Sequence, residues 1–475
     1  MDHIWIVLLW LSSCSCLYPT RFLERPVKGP SELKYETLYF DTLVDHFSFA
    51  DNYTFHMKYL LSMSSHKPGG PILFYTGNEG AIETFAVNSG FVWEAAIEFN
   101  AAVVFAEHRY YGSSMPFGSN STKVGYLTAE QALADYALLI RNLSATNEAL
   151  RDVPVIAIGG SYGGMLAAWF RYKYPNLIAG SIASSAPIWM FPGMSDCNGF
   201  YKVATDVFRK SGSENCKTKL AALWNNIIQV AKGPSGTKLL SVIFQLCDPL
   251  TDGQTLVDYL VDYLGILAMI NYPYEASFIG ALPAWPVKYF CENYPDALSV
   301  DDPLDNIRVA ASAFLSVMNY TGDRLCINVN GDTGALDTKN WEIQTCMEMT
   351  NPMCSNGISD MFPPNDWDPD AYSDKCFRNY GLRPRMNWSE VQFWGKNLKA
   401  ASNIVFSNGD LDPWSSFGVL DASSAPNCDV IVIPNSAHHL DLRAAHENDP
   451  PEVIDARKKE RAAMSNWIKQ WRAKT

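Results

Sequence analysis

The run Gly159-Gly160-Ser161-Tyr162-Gly163 sets a serine hydroxyl among glycines, directly after the apolar stretch Val155-Ile156-Ala157-Ile158 and before a helix-forming stretch from Met165 to Tyr174. In that strand-to-helix context a G-x-S-x-G run makes a strained turn that lifts the hydroxyl clear of the sheet as a nucleophile. The backbone passes close to its neighbours there, so Gly159 and Gly163 must lack side chains, and the N–H of Tyr162 can face a developing oxyanion. The implied chemistry is acyl transfer through a serine ester, which needs a base for the hydroxyl and a carboxylate to orient that base. A phosphate-binding loop would require Gly-Lys-Ser/Thr, which does not occur here.

Downstream of Ser161 the histidines are His438, His439 and His446. His446 lies in a polar stretch before the final helix and reads as a solvated surface residue. His438 and His439 follow the apolar run Val430–Ile433 by a short loop, where a base belongs. His438 is nearer the strand end; His439 then becomes a packed neighbour, bonded to Asp441 or Arg443. For the acid, Asn403–Phe406 leads into Ser407-Asn408-Gly409-Asp410-Leu411-Asp412-Pro413-Trp414. Asp410 follows Asn-Gly and suits a turn in water, whereas Pro413 restricts Asp412 to an extended conformation and fixes its aim, which favours Asp412. A second oxyanion donor is expected from the loop after an early strand. Here that is Gly77-Asn78-Glu79-Gly80 behind Ile72–Tyr75, so the amides of Asn78, Glu79 and Gly80 are candidates beside Tyr162. The Glu79 side chain receives no role at this level.

The elements that must position these groups are legible as alternating strands and helices. Ile72–Tyr75, Ala102–Ala106, Val155–Ile158 and Ile178–Ala183 are short apolar runs bounded by turn residues, and Asn403–Phe406 and Val430–Ile433 repeat the pattern near the end. Thr128-Ala129-Glu130-Gln131 has capping-box spacing ahead of a helical stripe of Leu133, Tyr136, Ala137, Ile140 and Leu143. Asp449-Pro450-Pro451-Glu452 opens a last helix with Met464, Trp467, Ile468 and Trp471 on one face. Strands separated by helices imply a parallel sheet. The order serine, acid, histidine then gives an α/β fold of the α/β-hydrolase kind.

The long gap between Ser161 and Asp412 calls for an insertion, and the cysteines place it. Cys197, Cys216, Cys247, Cys291, Cys326, Cys346, Cys354 and Cys376 all fall between positions 197 and 376, in a stretch of helical texture; Cys428 is the odd one out. Without C-x-x-C or His-rich spacing they read as disulfides of an oxidising compartment, not as a metal site. The organisation is therefore a signal segment over 1–16, a first core part over 31–189, a helical, disulfide-bearing cap over 190–396, and a second core part over 397–475. The leading apolar run Ile4–Leu11, ending in small residues, reads as a cleaved signal peptide. Five sequons, at Asn52, Asn120, Asn142, Asn319 and Asn387, fit the same route. No later stretch approaches the ~18 apolar residues of a membrane-spanning helix. With 37 basic against 50 acidic side chains, a net charge of −13 excludes a nucleic-acid backbone binder. Hydrophobic residues at 48% and charged ones at 18% exclude a disordered chain or a coiled coil.

From about residue 38 to the end the chain resembles the lysosomal serine peptidase family that comprises Pro-X carboxypeptidase and dipeptidyl peptidase II. The stretches that carry the resemblance include Phe74–Gly80, Phe105–Gly112, Glu130–Asp135, Gly159–Trp169, Ser184–Pro187, Phe406–Gly409 with Leu411–Trp414, and Ala437–Arg443. The resemblance implies Ser161, Asp412 and His438 as the triad and cleavage of proline-containing peptides after proline. It also implies no cofactor, a lysosomal or secreted location, and a homodimer formed through the cap. A flat apolar slot for proline points to Trp414 and Met165 as its walls, and Arg443 and Glu79 are candidates for binding a peptide terminus. Leu282-Pro283-Ala284-Trp285-Pro286, the presence of Cys197 and Cys354, and the lack of an inserted extra cysteine pair between Cys326 and Cys346 match the carboxypeptidase branch; Ala400–Ile404 is closer to the dipeptidase branch.

Overall fold

The computed structural model describes residues 33–118, 123–233, 235–296, 302–330 and 336–474. The signal segment and Asn120 lie outside them. Eight strands form one sheet: β1 (Glu36–Leu43), β2 (Thr54–Ser62), β3 (Ile72–Thr76), β4 (Ala102–Ala106), β5 (Val155–Gly160), β6 (Ile178–Ser184), β7 (Ile404–Gly409) and β8 (Asp429–Ile433). Their spatial order is β1-β2-β4-β3-β5-β6-β7-β8. From β4 to β8 every neighbour is parallel, whereas β1–β2 and β2–β4 are antiparallel. The sheet is thus mixed, where the sequence pattern predicted a parallel one. The pattern missed β1 because an edge strand is largely solvated and mixes polar with apolar residues, and β2 because His56 and Lys58 interrupt its apolar residues although most of the strand is buried. The central strands β3, β4, β5, β6 and β7 are buried along their whole length, as continuous apolar runs require.

Helices cover both faces. Phe74 and Val104 point into one core with Tyr136 of α3 (Ala129–Thr146) and Phe170 of α4 (Tyr162–Lys173). Leu73, Tyr75 and Phe105 point into the other, with Trp467 of the C-terminal helix Pro451–Arg472. That second core continues without a break into the chain between β6 and β7, through Leu220, Trp224, Phe290 and Phe314. Among the described residues this stretch contains helices, from Gly199–Val207 to Trp388–Phe393, and no strand. Four disulfides tie it together: Cys197–Cys354, Cys216–Cys291, Cys247–Cys326 and Cys346–Cys376; Cys428 is free.

Two helix starts differ in detail from the sequence expectation. Thr128 caps α3 by accepting from the Gln131 N–H, but the Gln131 side chain does not reach back. Its amide instead accepts from the His46 N–H and donates to Asp45. At the last helix Pro450 is the cap residue, and Asp449 accepts from the His446 N–H and from Arg457.

A buried ion pair clamps the antiparallel edge onto this frame. Arg109, in the loop after β4, donates twice to Asp135 of α3 at 2.7 Å and also to the carbonyls of Leu43 and Val44. Asp135 further accepts from Thr42 and His46. Burial pushes the Asp135 carboxyl up, but the charge of Arg109 and the His46 hydrogen bond outweigh it and hold the group below the usual carboxylate range. A depressed carboxylate contributes stability above its unfolded value of about 4 and loses it as pH falls below that value. Asp135→Asn leaves Arg109 uncompensated and is expected to cost about 3–5 kcal/mol in denaturant unfolding at pH 6. The gap between variant and wild type should narrow as the titration is carried below pH 4, a range set by the unfolded carboxylate value of about 4.

Candidate active site

Ser161 occupies the turn between β5 and α4 with φ of 58°, a backbone conformation that costs a non-glycine residue about 1–3 kcal/mol. Its N–H is held by the Ser184 carbonyl at the end of β6. Two glycines make the turn possible. A Cβ on Gly159 would lie 2.2 Å from the Gly163 carbonyl oxygen, and one on Gly163 would lie 2.4 Å from Asn78 Oδ1. The serine is thereby placed at the start of α4, where Tyr162, the first helical residue, has an N–H without an intrahelical acceptor.

Asp412 and His438 come from the loops after β7 and β8. Asp412 is fully buried and extended (φ −87°, ψ 116°), as Pro413 dictates. One of its oxygens accepts from the Trp414 N–H at 3.0 Å and the other from His438 Nδ1 at 2.8 Å. Asp410 is exposed. With Nδ1 donating to Asp412, Nε2 of a neutral His438 carries the lone pair, which is the tautomer a general base needs. Ser161 and His438 line one cavity, of about 170 Å³. Ser161 Oγ has no hydrogen-bond partner among the described residues, in keeping with catalytic contacts that tighten only around substrate.

His439 is half-buried, in left-handed conformation, with its N–H on Ser185 Oγ and its ring against Phe278 and His438. Burial, with His438 and Arg443 nearby, holds it well below the usual histidine range and hence neutral. The bonds to Asp441 or Arg443 expected from sequence do not form. Asp441 accepts from Ser184 and Ser407, and Arg443 lies over the Tyr272 ring and donates to Asn88. His446 is exposed, against Tyr274.

The loop of candidate oxyanion donors needs one correction. The Gly80 N–H is spent on the Asn78 carbonyl at 3.0 Å, a tight local turn, which leaves the amide of Asn78 and that of Glu79, the latter also facing its own carboxyl group. Asn78 itself is buried, its side chain donating to the Gly160 carbonyl and accepting from Tyr75, so the loop is pinned to the serine turn. Glu79 lines the cavity, and burial pushes its carboxyl up to about 7.

Met165 and Trp414 both reach the cavity wall. They are joined there by groups that no sequence pattern singles out: Met190, Met269, Phe278, Leu336 and Trp341. Other distant groups hold the candidate residues in place. The His438 N–H donates to the Met269 carbonyl, and the Tyr272 hydroxyl donates to the His438 carbonyl at 2.9 Å. Tyr162 is anchored by a chain of hydrogen bonds with one consistent direction. Burial pushes His108 down to about 4, so it is neutral; its Nδ1 donates to the Arg109 carbonyl, and its Nε2 accepts from Tyr162 at 3.0 Å. Tyr162 in turn accepts from Gln344, which accepts from Tyr111. Among the described residues no cluster of His, Cys, Asp or Glu could hold a metal ion.

Tyr272→Phe removes one neutral hydrogen bond, worth about 1 kcal/mol, from the His438 backbone. It is expected to lower kcat about fivefold with little change in KM or in the unfolding midpoint, as steady-state kinetics and thermal melts on the same preparation would measure.

Comparison with known proteins bears on what this arrangement is. Lysosomal Pro-X carboxypeptidase of Mus musculus is 47% identical over 445 residues, covering 92% of this chain and 89% of the mouse protein. The Homo sapiens protein of the same name is 45% identical over 457 residues, covering 94% and 91%. Prolyl carboxy peptidase like protein 5 of Caenorhabditis elegans is 38% identical over 482 residues, covering 93% and 92%. A family model described as serine carboxypeptidase S28 matches residues 42–460, and the chain belongs to that family.

Proposed function

We propose that this protein is a serine exopeptidase that releases the C-terminal residue from peptides with a penultimate proline, using Ser161 as nucleophile, His438 as base and Asp412 as its orienting acid. One observation carries the catalytic part: the buried His438–Asp412 hydrogen bond of 2.8 Å opens onto the cavity that also contains the strained Ser161. The names of the mammalian relatives support the specificity.

In this mechanism His438 Nε2 takes the Ser161 proton as the oxygen attacks the prolyl carbonyl. The amides of Tyr162 and of the Asn78–Glu79 segment hold the oxyanion, each such donor being worth roughly 3 kcal/mol in the barrier. Asp412 stabilises the imidazolium without taking its proton. The tetrahedral intermediate expels the amine of the C-terminal residue, which receives the proton from His438, and water then releases the peptidyl-proline by the same steps. Met165 and Trp414 form the walls of the proline slot in a cavity whose volume suits one small ring. The route through the secretory system belongs to the same reading. Among the described residues no helix is long and apolar enough to cross a membrane. Asn52 and Asn387 are exposed, and Asn142 and Asn319 half-buried, as candidate glycan sites.

Product analysis tests the proposal. N-acetylated peptides ending in Pro-X should lose their last residue, while free-amine X-Pro amides with a blocked C-terminus should stay intact; the opposite pattern assigns dipeptidyl peptidase activity. Ser161→Ala should lower kcat by about 10⁴-fold or more without loss of the folded state.

A further inference from the structure

The cavity holds one carboxyl group that the mechanism leaves idle. Glu79 sits at the seam between sheet and cap: its carbonyl accepts from the Asp337 N–H at 2.9 Å, and the next residue, Gly80, bridges to Leu336. This backbone grip holds its side chain in the cavity with Ser161, His438, Met165 and Trp414. Its Oε2 is sealed from solvent and has no hydrogen-bond partner. A C-terminal peptide bond brought to Ser161 puts the substrate's own carboxylate on the leaving-group side, within the same enclosure. Among the described residues no lysine or arginine lines that enclosure. Arg443, the nearby cation, is not part of the lining and lies over the ring of Tyr272.

We propose that Glu79, in its protonated form, recognises the free carboxyl end of the substrate by donating a hydrogen bond from its carboxyl group to the terminal carboxylate. The assignment deepens the carboxypeptidase reading above and rests on it. A carboxylic acid and a carboxylate share one proton in a short, charge-assisted hydrogen bond, so the pair needs no cation. The surroundings keep Glu79 protonated in acid. Desolvation raises it to about 7, against smaller opposing effects from its own backbone N–H and then from His438. Tyr75 and Tyr111 face it, both pushed up by burial and neutral, and Tyr162 and His439, which share the cavity, are kept neutral by burial as well. A peptide carboxyl ionises above about 3.5, so the complementary pair exists from there up to about 7 and is lost as Glu79 ionises. An amine-binding role would require the opposite: an ionised Glu79 and binding that strengthens as pH rises.

The test compares two substrates on each enzyme: N-acetyl-Ala-Pro-Phe as the free acid and N-acetyl-Ala-Pro p-nitroanilide, which carries no carboxylate. For wild type, the ratio of kcat/KM for the acid over that for the anilide should fall about tenfold per pH unit above about 7. Glu79→Gln keeps a permanent donor, so its ratio should persist and the alkaline fall should vanish. Glu79→Leu should lower the ratio about tenfold to hundredfold at pH 5, chiefly through KM for the acid. A ratio that is unchanged in Glu79→Leu, or an alkaline fall retained in Glu79→Gln, overturns this assignment alone. Wild type that ignores both N-acetyl substrates and cuts free-amine X-Pro p-nitroanilides overturns the carboxypeptidase reading and this assignment together.

Discussion

His438 is positioned by two stretches of chain that lie far apart in sequence, the loop of Asp412 and the segment Met269–Tyr272. Asp412 holds its ring from below, the Met269 carbonyl takes its N–H, and the Tyr272 hydroxyl reaches its carbonyl. A histidine on a surface loop would sample many orientations, and each hydrogen bond removes some of that freedom before substrate arrives. Two of these bonds come from the segment between β6 and β7. That segment therefore takes part in setting the geometry of the proposed base, beyond covering it.

The same arrangement recurs around the serine. Tyr162 supplies a backbone amide beside the proposed nucleophile, and its side chain is fixed by Gln344 on one side and His108 on the other. Because burial keeps His108 neutral, the hydrogen-bond direction along this chain is defined at any pH above about 4. Beneath it, the Arg109–Asp135 pair binds the edge hairpin to α3. Buried ion pairs of this kind are costly to break from one side, because the charge that remains has no water to solvate it.

What the sequence made legible follows from the range of the interactions. The serine turn could be read because all its requirements are local: an apolar strand, glycines two positions either side, and a helix behind. Asp412 could be preferred over Asp410 because proline acts on its immediate neighbour. The first two strands were missed because β1 is a largely solvated edge and β2, though mostly buried, breaks its apolar residues with His56 and Lys58. Gly80 was misjudged because a two-residue turn consumes its amide, which depends on the exact dihedral angles of the loop. Tyr272, Met269 and Gln344 gave no signal at all. Their partners are more than a hundred residues away, and an isolated tyrosine or glutamine in a helical segment is ordinarily a packing or surface residue.

The apolar core that runs unbroken from the sheet into the helical segment has a mechanical consequence when taken with the grip on His438. Swinging the upper half outward as a rigid door would tear both backbone bonds from the imidazole loop. An open state of that kind would be disarmed. On the proposed exopeptidase reading, substrate would enter with the two halves still joined, which suits a loose chain end better than the middle of a folded protein. Safety toward neighbouring proteins and preference for short, frayed substrates would share one mechanical origin.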